Sequence, residues 1–285
     1  MRLKHTDMEY LRKHWSGKKA SAPMLEKKHD KYFLRFTYAE EVALNRTPVK
    51  EQTICSVDLG INTDAVCTIM RPDGTILGRK FINFPSDKDR MYRVLGRIRR
   101  FQREHGSRQV QGRWAYAKRL NTELGKKIAR EIVFYASENR ADVIVFEYLE
   151  MKGKLSGKKK QKLQMWRKRD IQKRCGQQAH RKGIRISRIC AWNTSRLAFD
   201  GSGKIDRDIQ DHRLCTFQNG KRYNCDLSAS YNIGARYFIR EILKPLPATE
   251  RSLLEAKVPA VKRRTSCVYA DLRDLISEME LRKAA

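Results

Sequence analysis

Two short apolar runs, each closed by an acid, constrain this chain more than any other feature. Ile54-Cys55-Ser56-Val57 ends in Asp58, and Val143-Ile144-Val145-Phe146 ends in Glu147. Such runs, lacking polar alternation, read as strands buried on both faces, the pattern of central strands in an α/β layer structure. A carboxylate set against such a core is costly unless it is paired or bound to a cation, so both acids call for a partner.

The remaining segments supply an order. Ala65 to Met70 and Thr75 to Ile82 read as two strands of a hairpin, because Arg71-Pro72-Asp73-Gly74 between them provides the turn chemistry. Ser86 to His105 is expected to be a very basic helix. Residues 113 to 139 carry an unbroken i, i+4 stripe of Leu120, Leu124, Ile128, Ile132 and Ala136, the mark of a helix packed on a core. A basic helix from about 163 to 182 and a strand from Ile184 to Ile189 follow. Asp226 then opens an amphipathic helix with Ala229, Ile233, Tyr237 and Ile242 on one face, stopped by Pro245 and Pro247. Three strands followed by helix, strand, helix, strand, helix is the RNase H-like (RuvC) order: an α/β fold with a mixed sheet and flanking helices. In that order the first and fourth strands are neighbours. Asp58 and Glu147 are therefore expected side by side, with Asp226 reaching in from the start of the last helix.

The expected organisation is a β-rich segment at 1–50, with one strand at Tyr32 to Tyr38, and a nuclease-like core at 51–192. An irregular insertion at 193–224 precedes the final helix at 225–245 and a tail at 246–285 with a short helix at Val268 to Met279. Within the core, Gly153 to Lys162 reads as a solvated loop.

Three hard oxygen donors suit Mg²⁺ or Mn²⁺. Two such ions between three carboxylates are the arrangement that hydrolyses phosphodiesters. Each acid alone also has a purely structural reading: Asp58 as a turn residue, Glu147 at an exposed strand end, Asp226 as a helix N-cap. Strand end, strand end and helix start in one series point instead to a shared site.

Charge agrees with that chemistry. Lys and Arg number 62 against 32 Asp and Glu, a formal net charge of +30 spread along the chain, which makes a polyanion the expected partner. No segment approaches the ~18 apolar residues of a membrane span, so no membrane partner and a cytoplasmic, nucleoid-associated location are expected. The 7 cysteines lack the spacing of a secreted disulfide framework and read mostly as free thiols.

The ordered motifs resemble the TnpB family of transposon-encoded, RNA-guided nucleases, relatives of the type V CRISPR effectors. Ser56-Val57-Asp58-Leu59-Gly60-Ile61-Asn62 is similar to the first RuvC motif, Val145-Phe146-Glu147-Tyr148-Leu149 to the second, and Asp226-Leu227-Ser228-Ala229-Ser230-Tyr231-Asn232-Ile233 to the third. Trp192-Asn193-Thr194-Ser195 resembles the family's entry to a zinc-binding insertion. The resemblance covers about Tyr32 to Arg240. It implies Mg²⁺-dependent cleavage of target DNA addressed by a guide RNA, with Asp58, Glu147 and Asp226 as catalytic metal ligands. It implies, too, that the protein holds the heteroduplex by its backbone in a basic channel. Candidate phosphate contacts are Arg97, Arg99, Arg100, Lys126, Lys127, Lys168 and Arg169, with Lys158, Lys159 and Lys160 near single-stranded DNA; Trp166 is a stacking candidate or a core-edge residue. This chain departs from the family in two places. The two Cys-x-x-Cys pairs are missing, leaving His212, Cys215 and Cys225 as weak zinc candidates, and a zinc-free insertion is expected. The first acid comes early, so residues 1–50 correspond to the end of the family's N-terminal wedge.

Other functions remain on the table: a guide-RNA and DNA-binding protein that does not cut, an RNA chaperone or ribosome-associated protein, and a Holliday-junction resolvase or integrase-like transposase on the same fold.

Overall fold

The computed structural model describes residues 4–28, 30–106, 110–148, 168–263 and 265–284. The chain divides into two compact units, Met1–Ala43 and Leu44–Ala285. The first holds a helix α1 (His5–Trp15) and four short strands, β1 (Lys19–Ala20), β2 (Met24–Lys28), β3 (Lys31–Arg35) and β4 (Tyr38–Ala39). β2 and β3 form a hairpin and β1 pairs with β4, while Trp15 stacks on Tyr38 at 4.9 Å.

The second unit is built on β5 (Ile54–Asp58), β6 (Ala65–Met70) and β7 (Ile76–Ile82), followed by α2 (Pro85–His105), α3 (Gln111–Glu138), β8 (Val143–Tyr148), α4 (Lys168–His180) and β9 (Arg185–Cys190). These five strands form one sheet in the order β7-β6-β5-β8-β9. β5, β6 and β7 are antiparallel neighbours, whereas β8 and β9 join parallel to β5. Parallel pairing requires crossovers, and α3 and α4 provide them. The fold is thus the α/β, RNase H-like mixed sheet flanked by helices. The hairpin turn forms as its residues dictate: the Asp73 carboxylate accepts from the Thr75 N–H at 2.8 Å, and Gly74 takes φ +83°.

Alternation along β5 and β8 divides the core. Cys55, Val57, Ile144 and Phe146 pack beneath α3 and α4 with Ile128, Ile132, Ala136 and Ile171. Ile54, Val143 and Val145 face the other way, onto the last helices. Both faces are covered, which is why these strands read as continuous apolar runs. Leu120 of the α3 stripe instead packs with Met91, Leu95 and Ile98 of α2.

Three further short strands, β10 (Asp206–Arg207), β11 (Leu214–Thr216) and β12 (Arg222–Asn224), precede α5 (Cys225–Leu243), α6 (Ala248–Lys257) and α7 (Tyr269–Ala284). Here the structure corrects the sequence in three ways. The insertion is not irregular: β10, β11 and β12 form an antiparallel sheet around Ala198, Cys215, Phe217 and Cys225, with Phe199 and Tyr223 against them. α5 is not one-sided: Leu227 through Ile239 are all buried, because α6, α7 and the short 3-10 turn Pro259–Lys262 between them return Leu254, Val261, Leu272 and Leu275 to the same core. The tail is therefore part of the domain. Finally, the N-cap of α5 is Asn224, whose side chain accepts from Leu227 N–H at 2.9 Å, so Asp226 sits in the first turn and is not spent on capping. α5 lies close on the sheet, since a Cβ at Gly234 would meet the Met70 Sδ at 3.0 Å and the Ser56 Oγ at 3.1 Å.

Candidate active site

Parity places the first two acids. Ile54 faces α5, so Ser56 and Asp58 do as well; Val143 and Val145 face α5, and so does Glu147. β5 pairs with β8 in the register Ile54↔Val143 through Val57↔Phe146. Continuing by one rung sets Asp58 abreast of Glu147, since 58 − 54 equals 147 − 143. The third acid arrives through α5. A Cβ on Gly60, two residues beyond Asp58, would stand 3.8 Å from Asp226 Oδ2 and only 2.4 Å from the Thr63 carbonyl oxygen. Asp226 thus lies against the loop that leaves β5, and the Thr63 side chain hydrogen-bonds to it.

Electrostatics report the same convergence. Burial, followed by repulsion from Glu147 and then Asp226, holds the Asp58 carboxyl well above its ordinary value. Burial raises Glu147, opposed by a Thr194 hydrogen bond and the charges of Arg236 and Lys168. Burial raises Asp226, opposed by Thr63, Arg207 and Arg213. Asp58 and Glu147 are only 8% and 7% exposed. Among the described residues none of the three acids has a salt-bridge partner, whereas the neighbouring buried acid Asp64 is bridged by Lys88 at 3.4 Å and accepts from the Phe84 N–H. Asp64 is bridged directly, whereas the other three feel Arg207, Arg213, Arg236 and Lys168 without a salt bridge among the described residues.

Glu147 is held from both ends. Its backbone carbonyl accepts from Gln172 Nε2 at 2.9 Å, and its Oε1 accepts from the Thr194 hydroxyl. Thr194 is itself fixed, because Asn232 on α5 donates through Nδ2 to the carbonyls of Thr194 (3.0 Å) and Leu197 (2.9 Å). The Asn232 Oδ1 accepts from the Tyr269 N–H at 3.0 Å, which ties in the start of α7. Beside it, the Arg236 guanidinium donates to the carbonyls of Cys190, Trp192 and Cys267.

The chemistry of this donor set fits hard divalent cations: three carboxylates, all disfavoured as anions by burial and Asp58 by its acidic neighbours as well, without a protein cation bridged to them among the described residues. As the side chains stand, no group of three or more His, Cys, Asp or Glu among the described residues is arranged to hold an ion. Thr194 holds Glu147 through Oε1 and Thr63 bonds to Asp226, so a cation would take carboxylate oxygens that those hydroxyls leave.

The other sequence candidates are placed as follows. Arg97, Arg99 and Arg100 are exposed on α2 and Arg169 on α4. Lys126 bridges Glu123 and Lys127 bridges Asp87, each at 2.7 Å. Lys168 is only 7% exposed and within electrostatic range of Glu147, so its ammonium belongs to the site more than to a surface channel. Lys158, Lys159, Lys160 and Trp166 lie outside the described residues. Cys215 and Cys225 share a hydrogen bond within the aromatic core of the insertion, while His212 is exposed, its Nδ1 bonded to the Asp208 carbonyl at 3.1 Å. Sequence reasoning missed Arg207, Arg213, Lys168 as a partner of Glu147, and Thr194 as its donor. Arg207 acts electrostatically on both Asp58 and Asp226. Only pairing β10 with β11 brings it there, and nothing periodic in the insertion announces that pairing.

No family model and no curated protein matches this chain. Among solved structures, the chain is similar to one described as a Cas12f1-sgRNA-target DNA complex, with TM-score 0.52, 18% identity, 73% of this chain and 54% of that one covered. A CRISPR-Cas12f ternary complex aligns with TM-score 0.47 and 15% identity over 82% of this chain and 49% of the other. The chain spans about half the length of these proteins. What it shares with the first of them is the fold, a five-stranded mixed sheet flanked by helices.

Proposed function

We propose that this protein is a divalent-metal-dependent endonuclease that cuts DNA addressed by a guide RNA, in the manner of the TnpB family its motifs resemble. The observation that carries the reading is the set of three carboxylates from β5, β8 and the first turn of α5, gathered on one face of the sheet with no salt bridge to any of them among the described residues. The fold shared with a Cas12f1 bound to sgRNA and target DNA supports the substrate class, as does the net charge of +30.

Asp58, Glu147 and Asp226 would hold Mg²⁺ or Mn²⁺, which when bound activates a water for attack on the scissile phosphate and stabilises the leaving oxygen. The residues of the chain do the rest. Thr194 and Gln172 orient Glu147 from its side chain and its backbone. Arg207, reaching the acids from the insertion, supplies positive charge where a phosphate adds negative charge. Lys168 gives Glu147 a second cation on its flank.

Asp58→Ala, Glu147→Ala and Asp226→Ala should each abolish Mg²⁺-dependent cleavage of a guide-matched target while leaving nucleic-acid binding within a few-fold of wild type. Gel assays with the co-purified RNA measure both. Cleavage that persists in excess chelator would sink the metal mechanism, and the three variants cutting normally would sink the site.

A further inference from the structure

Trp192 is 66% exposed, and among the described residues its indole has neither a ring to stack on nor an acceptor for its N–H. An exposed indole offers a flat face on which another ring can stack. Its backbone, by contrast, is fixed. The Trp192 carbonyl accepts from Arg236 Nη1 at 2.7 Å, and the same guanidinium holds Cys190 and Cys267. Arg236 is buried, so this anchor does not drift. Asn193 then takes φ +58°, a left-handed residue that turns the chain, and Thr194 closes onto Glu147. One turn therefore joins an outward indole to an inward hydroxyl on a candidate metal ligand.

Distance and charge narrow what covers it. Only Asn193 separates Trp192 from Thr194, a span of at most ~7 Å between their Cα atoms. The indole therefore hangs from the same turn that holds a candidate metal ligand. Arg196 and Arg207 are both exposed on the same insertion, and Arg207 Nη2 donates to the Ser195 carbonyl at 3.1 Å, three positions on from Trp192. An aromatic face next to cations is the composition that binds single strands, the cations following phosphates and the ring taking a base.

We infer that Trp192 is a stacking platform for an unpaired base of the strand delivered to Asp58, Glu147 and Asp226. This rests on the nuclease reading and extends it: the strand at the site is single, and Trp192 fixes its register by one base. The contact is tolerant of base identity, because every base offers a π face.

The test uses the full chain in chelator, so that nothing is cut, and two fluorescent probes of equal length: a short oligothymidylate and an abasic strand with the same phosphates. Trp192→Ala should weaken oligothymidylate binding roughly tenfold, the loss of one stacked base. It should leave binding of the abasic strand unchanged, and Trp192→Phe should recover most of the loss. Equal binding by wild type and Trp192→Ala, or an equal loss on both probes, would overturn the stacking role. The second outcome would mean that the substitution had damaged the fold or a phosphate contact. Wild-type cleavage of a guided target, assayed separately, tells the two readings apart: cutting with no Trp192 effect removes this inference alone, whereas no cutting removes the nuclease reading.

Discussion

Burial and two neighbouring carboxylates all disfavour ionised Asp58, and the sign of the consequence follows from linkage. Its pKa in the fold lies above the unfolded value near 3.9, so the native state binds more protons and stability falls as pH rises between the two values. The stability is fully present below the unfolded value and lost through the folded one. In chelator, Asp58→Asn should therefore raise the melting temperature at neutral pH by some 2–4 °C for each kcal/mol of repulsion removed, with the gain vanishing near pH 4. Calorimetry across pH checks this, and adding Mg²⁺ should narrow the gap by stabilising wild type alone. A gain that persists at pH 4 would show that the carboxylate's charge is not its cause. Asp58 and Glu147 stand out in the sequence because an ionisable group at the end of an apolar run is conspicuous, and Asp226 because it opens an amphipathic helix. The groups that serve them were not. Thr194, Lys168 and Arg207 are ordinary residues in ordinary segments, and only tertiary pairing gives them a role.

At the scale of elements, the sheet and its covering helices were legible because their apolar periods are long and unambiguous. The three-stranded insertion was missed because its strands have two or three residues each, too short for any period to register. The tail was read as peripheral for a related reason: its apolar residues are sparse, and they matter only because α5 has a second face to cover. Asn232 is where these elements meet. Fully buried, it satisfies the carbonyls of Thr194 and Leu197 and the N–H of Tyr269, so Asn232→Leu would strand three buried polar groups at about 1–3 kcal/mol each. Urea denaturation should show a loss of at least about 2 kcal/mol, and guided cleavage at a permissive temperature should fall with it, since Thr194 loses its support. An unchanged denaturation midpoint would refute the clamp.

Across the whole molecule, charge dominates. With 62 basic against 32 acidic residues, association with nucleic acid should be driven largely by counterion release. Binding of duplex DNA should weaken with a slope of log K against log salt of about −5 if some six phosphates are engaged. The slope should hold for Asp226→Asn, which leaves the basic surface intact, and a slope near zero would remove the polyanion as partner. No helix among the described residues is long and apolar enough to cross a membrane.

The bond from Tyr269 to Asn232 also sets a schedule. Tyr269 is translated 43 residues after Asp226 (269 − 226), yet its N–H completes the clamp that steadies Glu147 through Thr194. During synthesis, all three acids leave the ribosome before the support of the second one exists. A chain cut off before Tyr269 would therefore carry all three carboxylates with Thr194, and through it Glu147, less firmly held.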